Sequence, residues 1–114
     1  MLNFLNTNCE PLQESDDGFR MVPIVRRFIE LCRSFPKEEI PTETEWRKLD
    51  EAFQEKQPEY RAFIKEKLPY KRHYRMALLL FLGIRSKDIM FLMSINSMQQ
   101  VSNLKCIIKK KLSQ

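Results

Sequence analysis

Residues 70–112 read YKRHYRMALLLFLGIRSKDIMFLMSINSMQQVSNLKCIIKKKL, and the spacing of apolar residues in this stretch decides the fold. Wound as a helix at about 100° per residue, its last part, Ser97 to Leu112, places Val101, Leu104, Ile108 and Leu112 along one stripe. Gln99, Asn103, Cys106 and Lys110 fall on the opposite side, with Ser102 and Lys109 beside them. One side suits a core. The other presents amides, a hydroxyl and ammonium groups, which bond base edges and phosphates.

Pro69 opens this unit. The spacing predicts a helix from Tyr70 to Leu82 that buries Tyr74, Ala77, Leu78 and Phe81. Gly83 follows as the residue type that takes positive φ just past a helix end. Ser86 is the expected N-cap of a short helix, Lys87 to Met93, with Asp88 in its first turn and Ile89, Leu92 and Met93 inside. Ser94 to Asn96 forms a tight connection, and Asn96 or Ser97 caps the last helix. Two short apolar-faced helices and a turn before a longer, polar-faced helix is the helix-turn-helix plan.

Upstream lies a helical support layer. A helix from Val22 to Phe35, with Pro23 in its first turn, carries the stripe Ile24, Phe28, Leu31, Cys32 and Phe35 and closes at Pro36 and the Lys37–Ile40 stretch. Thr42 and Glu45 have the spacing of a capping box, so a second helix runs from about Glu43 to Gln54 or Lys56 with Trp46, Leu49, Ala52 and Phe53 inward. After Pro58, Glu59 to Lys67 forms a shorter helix around Tyr60, Phe63 and Ile64. Residues 1–21 show no sustained period and read as a flexible acidic arm, so the division is 1–21 arm, 22–68 support layer and 69–114 helix-turn-helix unit, the last two in one compact domain.

Composition agrees with an all-α chain. At 114 residues there is material for one domain with a modest core, and glycine occurs only twice. Three cysteines without paired spacing read as free thiols in a reducing cytoplasm. Nothing has the form of a signal peptide, and the most apolar run, Met76 to Ile84, is far below the roughly 20 residues of a membrane span. A single histidine, His73, reads as a surface residue; with no metal spacing and no glycine-rich phosphate loop, no enzyme, metal or cofactor is expected.

The net charge of +5 conceals a segregation. Residues 1–18 carry −4, residues 19–66 are neutral, and residues 67–114 hold ten bases against Asp88 alone, giving +9. A basic third of this kind is the footprint of a polyanion binder, although an ordinary solvated basic face has the same composition.

The segment from Leu78 to Leu112 resembles the helix-turn-helix of LuxR-type and sigma-factor region-four-like bacterial transcriptional regulators. The likeness rests on Leu82-Gly83, Ser86 to Ile89, Leu92-Met93, Val101-Ser102-Asn103 and Lys110-Lys111-Leu112, and extends weakly to Trp46, Leu49, Phe53 and Pro58. It implies an all-helical bundle and DNA-binding transcriptional control. Met90 stands where the family usually has Ala, Ser94 where it has the turn Gly, and Ile107 where it has an Arg, while the turn is about one residue longer. Ile107 and Cys106 thin the polar content of the reading face.

The expected partner is double-stranded DNA. Gln99, Ser102 and Asn103 are the expected base-edge contacts, and Arg85, Lys87, Lys105, Lys109, Lys110 and Lys111 the phosphate contacts, with Lys71, Arg72 and Arg75 extending the patch. Taken singly, each lysine is an ordinary solubility residue; together they favour a polyanion. Phe91 and Ile107, if exposed, would be interface candidates for a homodimer or partner chain. Cys106 on the polar face is a redox-switch candidate only with a basic neighbour, and otherwise a bland filler. The reading from another class is a protein-interaction module with a degenerate recognition helix. Membrane-surface binding is disfavoured because the apolar stripe of the last helix is needed for the core.

Overall fold

The structure, a computed structural model, describes residues 17–33 and 39–113. Seven helices account for them: α1 (Asp17–Arg20), α2 (Pro23–Arg33), α3 (Glu43–Lys56), α4 (Pro58–Lys67), α5 (Lys71–Phe81), α6 (Ser86–Leu92) and α7 (Met98–Leu112). There is no strand among the described residues. The fold is an all-α bundle in which α1 to α4 support the α5–α6–α7 unit.

Local signals set most boundaries. Thr42 Oγ1 accepts from the Glu45 backbone N–H at 3.1 Å while Glu45 Oε1 accepts from the Thr42 N–H at 2.9 Å. The second carboxylate oxygen of Glu45 accepts from Arg27 Nε at 2.9 Å, so the cap of α3 also anchors α2. The Thr42 bond holds the Glu45 carboxyl below its usual range, against partial burial and with help from Arg27. Replacing Thr42 with Ala is expected to cost about 1 kcal/mol, read as a lower urea midpoint at unchanged slope. No change in midpoint would mean that the box does not hold α3. Gly83 closes α5 with φ 77°, and its N–H and that of Ile84 bond back to Leu80 and Leu79 carbonyls.

One hydrophobic cluster collects side chains from all seven helices. Phe53 of α3 is its centre, with the rings of Phe19, Phe81 and Tyr60 at 4.9, 5.3 and 6.1 Å. Phe28 of α2 meets Trp46 of α3 at 4.9 Å, and the Arg75 guanidinium lies 4.8 Å from that indole. Two polar ties join the support layer to α5. The buried Tyr60 hydroxyl donates to the Ala77 carbonyl at 2.7 Å, and burial pushes that phenol well above its ordinary range. Asp50 accepts from both the Arg61 guanidinium, at 3.1 and 3.2 Å, and the Tyr74 hydroxyl. Burial alone would raise the Asp50 carboxyl; Arg61 and Tyr74 outweigh it and hold it low.

The structure corrects several expectations. Residues 17–20 of the expected arm are helical and place Phe19 in the core; residues 1–16 lie outside the described ones. Helix α2 is rotated slightly, so Val25 is buried and Ile24 and Cys32 are half-buried. Phe35, Pro36 and the Lys37–Ile40 closure fall wholly or partly outside the described residues. Phe63, Tyr74 and Met93 are half-buried rather than interior.

Candidate nucleic-acid interface

Helix α7 is positioned at its start by a side-chain cap and a pinned turn. At its start the Ser97 hydroxyl accepts from the Gln100 N–H at 3.2 Å, the N-cap arrangement expected of one of the two candidates. The turn before it is pinned by the buried Ile95, whose N–H bonds the Met90 carbonyl at 2.9 Å. Ser94 has φ 55°, the left-handed backbone that favours glycine, so a serine bears the strain of this turn.

Val101, Ile108 and Leu112 are buried against the bundle, and Leu104 is half-buried beside them. Helix α7 packs on α4, α5 and α6 through this stripe. Gln99, Ser102, Asn103, Cys106, Lys109 and Lys110 are all exposed on the other side. Gln99 Nε2 donates to Asn103 Oδ1 at 3.0 Å, joining the two amides into one ladder. Asp88, the single acid of residues 67–114, is buried in the first turn of α6, with Arg85 Nε 3.3 Å from its carboxylate. Within residues 67–113, therefore, no acid is exposed beside the basic residues.

The expected phosphate contacts divide into two groups. Lys87, Lys109 and Lys110 are exposed, and the Arg85 side chain keeps 78% of its surface despite its bond to Asp88. Lys105 and Lys111 are half-buried and engaged. Lys105 Nζ donates to Ser86 Oγ at 2.9 Å, and Lys111 Nζ lies 5.0 Å from the Tyr70 ring centroid. The Ser86 bond also explains why Ser86 is not the N-cap of α6. Arg85 occupies the cap position without a side-chain bond, and the Ser86 hydroxyl is held by a lysine 19 residues away. No local signal marks that pairing.

Phe91 is half-buried against the core, so it is no exposed interface residue. Ile107 is 39% exposed and remains on the surface, as does Met98 at 43%. Lys71 and Arg75 face an acid of α3. Arg75 donates to Glu43 at 2.6 and 3.2 Å, and Lys71 is 4.0 Å from the same carboxylate, which the Arg75 guanidinium holds below its usual range. With Trp46 and Met93 these residues line a cleft of about 420 Å³ to which, among the described residues, no histidine or cysteine contributes. His73 is half-buried; burial, Lys111 and Arg72 keep its imidazole toward the neutral form. Among the described residues no group of His, Cys, Asp and Glu is placed to hold a metal ion, and no helix is long and apolar enough to cross a membrane.

Fold and face together describe an all-helical bundle whose last helix presents an outer surface of amides and lysines. In comparisons with protein-family models, curated proteins and solved structures, nothing matches this chain.

Proposed function

We propose that this chain binds double-stranded DNA and acts as a transcriptional regulator, with α7 seated in the major groove. The observation that carries the reading is the outward face of α7: an amide ladder at its front, Gln99 to Asn103, followed by the free lysines Lys109 and Lys110. A helix about 10–12 Å across fits a groove about 12 Å wide. Front residues of a recognition helix meet base edges, and lysines farther back meet the phosphate chain. Arg85 and Lys87, at the start of α6, supply further cations on the same unit. The reading takes the resemblance of residues 78–112 to LuxR-type and region-four-like regulators as kinship, and it puts the site of action in the cytoplasm.

The test is a gel shift on genomic fragments at two salt concentrations. Affinity is expected to fall steeply with salt. Replacing Gln99 and Asn103 together with Ala is expected to relax sequence preference, at about 1–3 kcal/mol for each lost base pairing, while binding to unrelated duplexes persists. Unchanged preference in that double variant would move the reading face elsewhere.

A second reading draws on Met98 and Ile107, the two exposed large apolar residues of α7. In it, a partner chain or second copy packs over the helix. A stable oligomer in gel filtration without salt-sensitive DNA affinity would select it.

A further inference from the structure

The side chains that reach deepest from α7 are set by helix geometry. Gln99, Asn103, Cys106 and Lys110 lie within about 60° of the direction opposite the buried stripe. The front three turns of that face contain no free cation. Lys105 is the only basic residue before Lys109, and its ammonium is bonded to Ser86 on the flank toward α6. Lys109 and Lys110 sit about 9 Å or more beyond Asn103 along the axis. Helix α7 has no carboxylate at all.

These facts remove two of the usual base partners. Guanine is read by an Arg or Lys at O6 and N7, and cytosine N4 by Asp or Glu. What remains at the front is amide chemistry and the Ser102 hydroxyl; the hydroxyl does not discriminate between bases, whereas amides bond adenine at N6 and N7. The Gln99 bond occupies one lone pair of Asn103 Oδ1 and leaves the second lone pair and both Nδ2 hydrogens for a base. It also restrains the Asn103 side chain before DNA arrives, which lowers the ordering cost of contact. Ile107 is one turn further on, a branched hydrocarbon that is 39% exposed and lies outside the core cluster. Four residues advance about 6 Å, one to two base-pair steps at about 3.4 Å. Its methyl groups match the thymine C5-methyl, the one apolar feature of the major groove.

We infer that α7 reads adenine·thymine pairs: Asn103, braced by Gln99, bonds an adenine edge, and Ile107 covers the methyl of a nearby thymine. The inference rests on the DNA-binding reading above and adds the class of base.

The experiment starts with selection of bound molecules from a pool of random-sequence duplexes, using the full chain, followed by sequencing. An adenine·thymine core is expected. In that core, 7-deazaadenine, which lacks the N7 acceptor, is expected to weaken wild-type binding at least about fivefold at one position and to leave Asn103→Ala unaffected. Deoxyuridine, which lacks the methyl, is expected to weaken it about fourfold and to leave Ile107→Ala unaffected. Both substitutions are at exposed positions, and circular dichroism checks that each variant keeps its helices. A core centred on guanine·cytosine, or salt-sensitive binding with no enriched sequence, overturns the inference while the DNA reading stands. So does a wild type indifferent to both base analogues. Absence of salt-sensitive binding overturns the DNA reading and this inference with it.

Discussion

Phe53→Ala is expected to lower the free energy of unfolding by about 3–5 kcal/mol, the largest stability loss of any single truncation considered. Phe53 is fully buried, and its ring touches those of Phe19, Tyr60 and Phe81. Truncation removes the hydrocarbon burial and opens a cavity where α1, α3, α4 and α5 converge. Neighbouring aromatic rings are rigid and fill such a gap poorly, so the cavity term persists. For domains with total stabilities of about 5–15 kcal/mol, this is a large fraction, visible in urea or thermal unfolding. Phe63→Ala is the internal control, because that ring is only half-buried and its loss should cost clearly less. Equal effects at the two positions would contradict the arrangement of α3 and α4.

The second large effect concerns DNA. Replacing Lys109 and Lys110 together with Ala is expected to weaken binding to every duplex alike and to flatten the slope of log affinity against log salt by about 1.8. Each neutralised phosphate contributes about 0.9 to that slope through released counterions. The two ammonium groups are exposed and lie in the last turn of α7, where their charge also suits the negative end of the helix. Lys105→Ala separates the roles. Its ammonium bonds Ser86, so its loss should loosen α7 from α6 and leave the salt slope nearly unchanged. If the double variant keeps the wild-type slope, the rear of α7 does not meet the phosphate chain.

Predictions of both kinds depend on how far each residue's surroundings are written locally. Thr42 and Glu45 are three residues apart, and the bonds they form are those their spacing implies. Gly83 has the positive φ expected of its place after a leucine-rich helix. In α7, Val101, Ile108 and Leu112 face the bundle because helical period alone separates them from Gln99, Asn103 and Lys110. Ser86 shows where such reasoning stops. Its position resembles a cap, but its hydroxyl meets a lysine from the next helix, and no pattern in residues 84–90 announces that. Phe91 likewise carries no signal distinguishing surface from core; the packing around α6 places it half inside.

Sequence alone therefore determined the six main helices and most of their ends to within about a residue, most of the buried stripe of α7, and a +9 terminal third with amides leading and lysines following. These follow from interactions between residues three or four apart, whose geometry is the same in every helix. Tertiary structure decided which cations stay free: Lys109 and Lys110 do, while Lys105 is tied to Ser86 and Lys111 lies over Tyr70. It also decided that Asp88 is buried and that Phe19 joins the core. Such outcomes depend on the angle and distance at which whole helices meet, quantities summed over the entire interior and encoded at no single position.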